Sequence, residues 1–525
     1  MTSTAESFSR EFRRGPLAVL AFLVLAAGTA YKTGTYLANG DFTGLAYVGL
    51  VYVIGVVIVV ALHDWRNGFY LFLVWLLFED LSRKFLGNNM AVYFAKDGLL
   101  LTVYLSFFIA CRRKQQSAQI FRPPFLIALL TFAWFGVAQV FNPSSTSIFF
   151  GLMGIKLYFF YIPLIFVGYA LINSENELRK FFHINLSLVV IIAALGIVQS
   201  IAGPRFLNPE IMADDIRLLS ETYRVAAISG ARVYRPTSVF VSIGRFGDLL
   251  VVAWLMVLGF SGYLLLRERR GRLLTFLALA VTAAASVMCT SRGVFMWCLG
   301  SSLVAAAAFL WGAPWRQGEV MRVIRTLQRV ALGIALAVVV MLVAYPEAFL
   351  GRLEVYSDTL DPRSPNNELL HRARDYPLRN FLAAFDYPEW PYGYGIGTVS
   401  LGGQYVARFF NVRPSVVGVE SGFGALVVEM GIGGLILWLV MAGAILISAW
   451  RVVVRLRGSP WFPLAFMIFW YAFLLLVPLT FQGLQAYQDF ILNAYFWLLL
   501  GVLFRLPDIA ISAQSAPVSS RHWAS

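Results

Sequence analysis

Long apolar runs, separated by short and often basic polar segments, make up most of this chain. A hydrocarbon core of about 30 Å takes about 20 apolar residues for one helical crossing, and many runs approach that length. The runs are continuous rather than alternating, which is typical of membrane helices and not of a β-barrel. Fourteen runs are predicted to be helices: 16–34, 44–62, 67–82, 93–111, 123–141, 148–172, 181–202, 247–265, 273–290, 293–312, 330–345, 421–449, 460–480 and 489–505.

This pattern predicts an all-α integral membrane protein with about 14 transmembrane helices, within a range of 12–14. Residues 1–505 are expected to form one polytopic membrane domain, and residues 506–525 a disordered, polar cytoplasmic tail. The first run lacks a small-residue cleavage pattern, so it is interpreted as an anchor rather than a signal peptide.

Composition agrees with a membrane protein and argues against two other classes. The chain is 59% hydrophobic and 13% charged, against about 45–50% and about 25% in soluble domains. Its net charge of +14 would suit nucleic acid, but the basic residues cluster between apolar runs, as topology signals do. The four histidines are scattered and no Cys-x-x-Cys pair occurs, so no metal site and no cofactor is expected.

The basic clusters predict the orientation of the chain. With a cytoplasmic N-terminus, they fall on one side, as the positive-inside rule expects, and the even number of helices returns the C-terminus to the cytoplasm. The pair Arg83–Lys84 is the exception. The clusters lie at 112–114, 179–180, 267–272, 316–329 and 451–457.

Two long loops, 203–246 and 346–420, are then periplasmic. They contain six and seven arginines and no lysine. Long loops translocate largely regardless of charge, so these arginines do not decide the topology. Solvated loop charge is the simpler interpretation for most of them, but the planar guanidinium suits bidentate binding of phosphate.

The glycine-rich segment 387–403, YPEWPYGYGIGTVSLGG, could suggest a nucleotide-binding loop. No Lys-Ser/Thr follows it and no βαβ pattern surrounds it, which argues against that interpretation. We expect instead a loop in which Gly393, Gly395 and Gly397 let the backbone approach a bulky substrate.

Three further charged residues lie in or beside apolar runs. Arg292 follows a tight break, TSRG, and must meet water, a carboxylate or a phosphate, either as an interfacial anchor or as a substrate contact. Lys156 lies well inside a run, so it is either paired with a carboxylate or in contact with substrate. Asp97 is expected to pair with its neighbour Lys96.

Five segments together resemble a known family. They are NPSSTSIFFGLMGIKLYFFYIPL (142–164), RPTSVF (235–240), TSRG (290–293), GYGIGT (393–398) and ESGFGALVVEMGIGG (420–434). Their succession resembles the O-antigen ligase and O-antigen polymerase-related family, over roughly residues 90–500. These are bacterial membrane glycosyltransferases that act on undecaprenyl-diphosphate-linked glycans at the outer face of the inner membrane. The resemblance implies a GT-C-like architecture with a large periplasmic loop between helices 11 and 12.

The resemblance also implies site residues. Ser421, Gly431 and Gly434 fall on the ligase motif, but Glu420 occupies its histidine position. The polymerase-like and exopolysaccharide branches vary there. The arginines that the family is proposed to use for the diphosphate correspond to Arg235 and Arg292.

On this basis a metal-independent, inverting transfer is expected. Glu420 would be the base, since a carboxyl group with a reference pKa of about 4.3 is ionised at neutral pH. Arg235, Arg292 and Arg245 would stabilise the departing diphosphate, and Ser421 and Lys156 would contact substrate. His371 is the alternative base.

Glu429 is assigned a structural role. It follows Glu420 by nine residues, which on an ideal helix places the two carboxylates on opposite sides. A bond to a neighbouring helix is expected for Glu429, with Gly431 and Gly434 allowing close helix approach.

Two other classes remain open: a lipid-linked oligosaccharide flippase, and a non-catalytic structural component of an envelope machine. A flippase should show two similar halves with short loops, and this chain shows one dominant loop instead. The expected partners are an undecaprenyl-diphosphate-linked donor, a glycan or lipid-glycan acceptor, membrane lipids, and a flippase and chain-length regulator; no nucleic acid is expected. The sugar, and polymerase versus ligase activity, stay open.

Overall fold

Helices form almost all of the secondary structure of this chain. A computed structural model describes residues 16–114, 118–226, 229–267, 271–314, 346–360, 375–400, 402–413, 419–483 and 486–515, with five isolated positions between 315 and 345. Up to residue 226 the elements are α1 Pro16–Ala38, α2 Phe42–His63, α3 Trp65–Leu86, α4 Met90–Arg112, α5 Leu126–Gln139, α6 Ile148–Phe159, α7 Leu164–Leu171, α8 Glu175–Ala202, α9 Asp214–Ser220 and β1 Thr222–Val225. They continue with β2 Arg232–Arg235, α10 Ile243–Arg267, α11 Arg272–Met288, α12 Arg292–Gly312, α13 Pro346–Leu360, α14 Tyr376–Leu382, α15 Gly403–Phe410, α16 Gly422–Arg455, α17 Phe462–Leu474, α18 Thr480–Gln482 and α19 Phe490–Ser515.

The apolar helices confirm a multi-pass membrane protein. In the described part of the chain, nine helical segments are long and apolar enough to cross a membrane, and two shorter helices, α5 and α11, are also apolar. Every predicted run except 330–345 falls on a described helix; that run lies mostly outside the described residues. The nine are Gly44–His63, Ala91–Arg112, Ile148–Leu171, Glu175–Ala202, Ile243–Arg267, Arg292–Gly312, Gly422–Arg455, Phe462–Gln482 and Phe490–Ser512.

Polar caps explain where several helices begin. The side chain of Asn89 accepts a hydrogen bond from Ala91 N at 2.8 Å and starts α4, and Ser174 accepts one from Glu177 N at 3.3 Å and starts α8. Such side chains satisfy N–H groups that the first helical turn leaves without partners. The cap at Ser174 explains why α8 begins before residue 181, where its apolar run starts.

An ion-pair belt joins three helices at one end of the bundle. Glu177, in the first turn of α8, binds Arg66 at the start of α3. Glu175 Oε2 lies 3.1 Å from Arg267 Nη2 at the end of α10, and its Oε1 lies 2.9 Å from Arg179 Nη2. The starts of α3 and α8 therefore meet the end of α10.

Two details differ from the sequence prediction. Residues Thr222–Val225 and Arg232–Arg235 pair as a small antiparallel hairpin, so the predicted loop 203–246 contains a two-stranded sheet. The last helix continues to Ser515, past residue 505, because Leu506 and Ile509 extend its buried face. The polar tail predicted from residue 506 therefore begins as helix.

Candidate functional site

A cavity of about 740 Å³, here called the central cavity, lies at the end of the bundle opposite the ion-pair belt. The end of α3, the starts of α4, α10 and α19, and the short helices α9 and α15 surround it. Its volume is within the range of pockets that bind small molecules. The charged side chains in its lining are Arg83, Asp215, Arg245, Asp248, Arg408 and Asp489.

Asp80 binds two of the arginines that line the central cavity, Arg83 and Arg245. This carboxylate on α3 is 1% exposed. Its Oδ2 and Oδ1 both accept from Arg245 Nη1 on α10, at 2.7 and 2.8 Å. It also accepts from Arg83 Nη1 at 2.9 Å and from Val241 N at 3.3 Å. A buried charge persists only when it is paired and hydrogen-bonded, and these contacts fix α3 against α10.

Lys84 fixes the segment that leads into α10. Its buried ammonium donates to Thr237 Oγ1 at 2.9 Å and to Ser238 O at 2.8 Å. Gln199 Oε1 accepts from the backbone N–H groups of the same two residues, at 2.9 and 2.7 Å. These contacts hold Ser238 at a φ of 52°, a conformation that costs energy for a non-glycine residue. The RPTSVF segment is therefore held in place just before α10, whose first turn lines the central cavity.

Two carboxylates at the central cavity have different surroundings. Asp489 caps α19, accepting from Ile491 N at 2.9 Å and Leu492 N at 3.1 Å. Asp248 follows Arg245 by three residues, is half-buried, and interacts electrostatically with both Asp489 and Arg245. Among the described residues it has no hydrogen-bond or ion-pair partner. Asp248 thus presents its carboxyl group to the central cavity.

A smaller cavity of about 220 Å³, the side cavity, adjoins the central cavity because both are lined by Gly244 and Asp248. Arg235 lines the side cavity, and its Nε is buried without a hydrogen-bond partner in the described structure. Burial lowers the pKa of the Arg235 guanidinium from its ordinary value. Arg235 and Arg245, both predicted to bind diphosphate, therefore lie at adjoining cavities.

Arg352 shows that one loop arginine has a structural role. Its buried guanidinium donates to Met288 O at 3.2 Å, Ser200 O at 3.1 Å and Tyr234 O at 3.2 Å. The first two carbonyls lie in the last turns of α11 and α8, where the helix dipole favours a cation. Arg352 thereby fixes the strand that carries Arg235.

Arg292 is balanced by a carboxylate. Its Nη2 lies 3.7 Å from Asp358 Oδ2 on α13, and its neighbours Ser291 and Gly293 line the side cavity. The structure therefore places Arg292 beside the predicted site as one member of an ion pair.

Glu420, the base expected from the sequence, lies outside the lining of both the central and the side cavity. It is exposed just before α16. Its neighbour Ser421, predicted to bind substrate, is fully buried and caps α16: its Oγ accepts from Gly424 N at 3.3 Å and donates to Phe481 O at 3.0 Å. Since α16 begins at Gly422, the helical spacing assumed between Glu420 and Glu429 does not apply. The alternative base, His371, lies outside the described residues.

The glycine loop, residues 393–399, packs against a break in α16. The break occurs at Gly431, whose φ is 69°. The carbonyls of Val428 and Glu429, which lose their helical partners there, accept from Tyr394 N at 2.8 Å and Gly395 N at 2.9 Å. Val399 N also donates to Glu429 Oε1 at 3.1 Å. The loop thus replaces the hydrogen bonds that the break removes.

The glycines of this loop, which were predicted to contact substrate, are closely packed against other segments. All three have a positive φ, and a Cβ at Gly393 or Gly397 would lie 2.5 Å from Glu429 O or 2.1 Å from Phe150 O. A Cβ at Gly395 would lie 3.1 Å from Ser145 Cβ. Only the segment beyond them, with Val399, Ser400 and Gly402, reaches the central cavity.

Glu429 and the GIGG segment, which were predicted to be structural, lie at the break in α16. Besides Val399 N, Tyr158 on α6 interacts with the buried Glu429 carboxylate. A Cβ at Gly431 would lie 2.4 Å from Pro391 O, and one at Gly434 would lie 2.3 Å from Met430 Cβ within the same helix. Gly431 thus accommodates the segment before the glycine loop, and Gly434 leaves room for a side chain of its own helix.

Lys156 proves to be paired with a carboxylate. Its Nζ lies 2.6 Å from Asp97 Oδ2 and 4.5 Å from the ring centre of Tyr93. The expected local pair between Asp97 and Lys96 is wrong, because Lys96 turns inward and binds Glu79 Oε2 at 2.9 Å. Lys156 therefore joins α6 to α4 and does not line the central cavity.

Comparison with known proteins adds no further assignment: no family model matches the chain, and no curated protein matches it. In the described structure, no group of three or more His, Cys, Asp or Glu residues could hold a metal ion.

Proposed function

We propose that this protein is a membrane glycosyltransferase that transfers or polymerises undecaprenyl-diphosphate-linked oligosaccharide. The central cavity is the proposed active site, on the periplasmic face of a bacterial inner membrane. The proposal keeps the fourteen-helix topology with cytoplasmic termini, the GT-C-like architecture and the large periplasmic loop as expected from the sequence. Its main support is a cavity that combines arginines, an available carboxylate and an apolar margin.

The margin of the central cavity suits a lipid-linked substrate. Leu218 and Leu219 on α9 line the cavity and are exposed. Phe409 and Phe410 on α15, directly after the lining residue Arg408, are also exposed. Exposed apolar side chains on short helices beside long apolar ones are suited to the bilayer interface. A polyprenyl diphosphate has the same two parts, an apolar chain and a charged headgroup.

The cavity interior suits a sugar diphosphate. Arg245 and Arg83 both bind Asp80, and Arg245 Nε also lies 4.0 Å from Asp489 Oδ2. Each guanidinium keeps N–H groups that can bind phosphate oxygens. Ser400 Oγ lines the cavity and is buried without a hydrogen-bond partner among the described residues. Buried polar atoms are normally satisfied, so a ligand hydroxyl is a fitting partner for Ser400.

The chemistry follows from this arrangement. The acceptor hydroxyl gives its proton to Asp248, and its oxygen forms a bond to the anomeric carbon of the donor sugar. The bond between that carbon and the diphosphate oxygen breaks, and the electron pair leaves with the diphosphate. Arg245 and Arg408 stabilise the growing negative charge, and one displacement inverts the anomeric centre. The proposed base is thus Asp248, and not Glu420 as expected from the sequence.

The direct test uses purified full-length protein in nanodiscs with a glycan linked to undecaprenyl diphosphate. The expected result is release of undecaprenyl diphosphate together with a longer or transferred glycan, at a rate that EDTA does not change. Movement of the donor between leaflets without bond cleavage would instead establish the flippase class. If neither transfer nor translocation is observed, a structural role would be left, and the proposal would be contradicted.

Arg408 offers a test of diphosphate binding with little effect on folding. Its exposed side chain has no hydrogen-bond or ion-pair partner among the described residues, so Arg408→Gln removes no such contact within them. Loss of one charged hydrogen bond is expected to lower kcat/KM by about 10- to 100-fold, with the thermal midpoint unchanged. Arg413→Gln is the matched control, because Arg413 is exposed near α15 but does not line the central cavity. Equal rates for the two variants would exclude Arg408 from the site.

A further inference from the structure

A third cavity, the basic cavity, lies at the other end of the bundle and has a volume of about 270 Å³. It is formed by the segment before α5, the last turns of α16, and α19 near residue 508. Phe490 borders the central cavity and Asp508 the basic cavity. The two residues are about 18 positions apart on α19, a rise of about 27 Å at about 1.5 Å per residue, which is close to the thickness of a hydrocarbon core. The two cavities therefore lie near opposite membrane interfaces.

Three arginines converge on the basic cavity. Arg122, Arg451 and Arg455 line it and are exposed, and none of the three side chains has a hydrogen-bond or ion-pair partner within the described residues. The carboxylate in the lining, Asp508, already binds Arg505 Nη1 at 2.9 Å and accepts from Tyr169 OH at 2.9 Å. The basic cavity thus has a local excess of positive charge.

The remaining wall of the basic cavity is apolar. Phe121 stacks on Tyr169 with ring centres 4.4 Å apart, and Phe121 also contacts Phe504 at 5.6 Å. Pro124 and Val452 add further apolar surface. A free anion would need only the guanidinium groups, whereas a phospholipid would also use this wall for its glycerol and upper acyl chains.

We propose that the basic cavity binds the headgroup of an anionic phospholipid. Basic pockets between membrane helices recognise phospholipid headgroups through their phosphates, and guanidinium groups bind phosphate oxygens in pairs. The orientation predicted from the basic clusters places this cavity at the cytoplasmic leaflet. The site lies far from the proposed active site, so it stands whether or not the protein transfers sugars.

Native mass spectrometry of the detergent-purified full chain tests this site. Phosphatidylglycerol is the probe, with phosphatidylcholine and inorganic phosphate as separate arms. We expect adducts with phosphatidylglycerol and a Kd about tenfold weaker in Arg451→Gln/Arg455→Gln, which removes two charged contacts. The charge-matched control is Arg112→Gln/Arg113→Gln, two exposed arginines that do not line the basic cavity.

Each contrary outcome identifies an error. Equal binding of phosphatidylcholine, or equal loss in the control variant, would overturn the site. Inorganic phosphate that displaces phosphatidylglycerol at similar concentration would assign an anion site and overturn the lipid. If the double variant unfolds, Arg122→Gln decides the matter, because Arg122 lies outside the helices: retained binding would contradict the proposal, and weakened binding would support it.

Discussion

Replacing Asp248 by Asn is expected to slow glycosyl transfer by roughly 10²–10⁴-fold, the usual contribution of a positioned general base. The amide keeps the size of the carboxylate but cannot take the acceptor proton. Since Asp248 has no partner among the described residues, the substitution should leave the thermal midpoint unchanged. The measurement is single-turnover release of undecaprenyl diphosphate, which separates chemistry from binding.

Glu420→Gln is the comparison that makes this experiment decisive. Glu420 is exposed and outside both adjoining cavities, so its variant should transfer sugar at the unchanged rate. The opposite pattern, with loss in Glu420→Gln and none in Asp248→Asn, would return the base to the position implied by the family resemblance. It would also remove the central cavity as the place of the proton transfer.

The sequence predicted the helices well because a membrane helix must be long, continuous and apolar. The predicted runs other than 330–345 lie on described helices, while helix starts such as Glu175 follow local caps rather than hydropathy. Residues 164–171 form a separate helix from 148–159, which the single apolar run 148–172 could not indicate. Hydropathy alone therefore located the helices but not their breaks.

The candidate site was only partly predictable, because its charges pair across distant segments. Arg245 was found from its place in a polar patch, but its partner Asp80 lies 165 residues away. A carboxylate inside an apolar run is a functional signal in itself, and this signal could have identified Asp80. The spacing of Arg245 and Asp248 also places them on one helix face, which could have identified Asp248.

The basic pair Arg83–Lys84, which the positive-inside rule did not explain, has a structural explanation. Both side chains are buried: Arg83 binds Asp80 and lines the central cavity, and Lys84 anchors the segment before α10. Residues that fill internal positions do not report on which side of the membrane a loop lies. The pair that departs from the positive-inside rule thus lies at the proposed active site.

Gly397→Ala is expected to destabilise the protein by about 3 kcal/mol or more, because it combines backbone strain with a steric clash. Gly397 has a φ of 87°, and its new Cβ would lie 2.1 Å from Phe150 O and 2.7 Å from Gly154 N on α6. Both atoms are backbone, so no side-chain movement can relieve the contact. The substitution should detach the glycine loop, with a large drop in thermal midpoint in detergent and loss of transfer.

The same experiment separates packing from substrate contact at the glycine loop. If Gly397 contacted the glycan, as the sequence suggests, Gly397→Ala would reduce transfer while leaving the thermal midpoint unchanged. Gly403→Ala is the control, since its Cβ would meet no atom closer than 3.7 Å and its φ is not positive. The thermal midpoint should therefore fall in Gly397→Ala and stay unchanged in Gly403→Ala. The loss of transfer at residue 397 would then follow from displacement of Val399 and Ser400, which line the central cavity, rather than from a lost contact with the glycine itself.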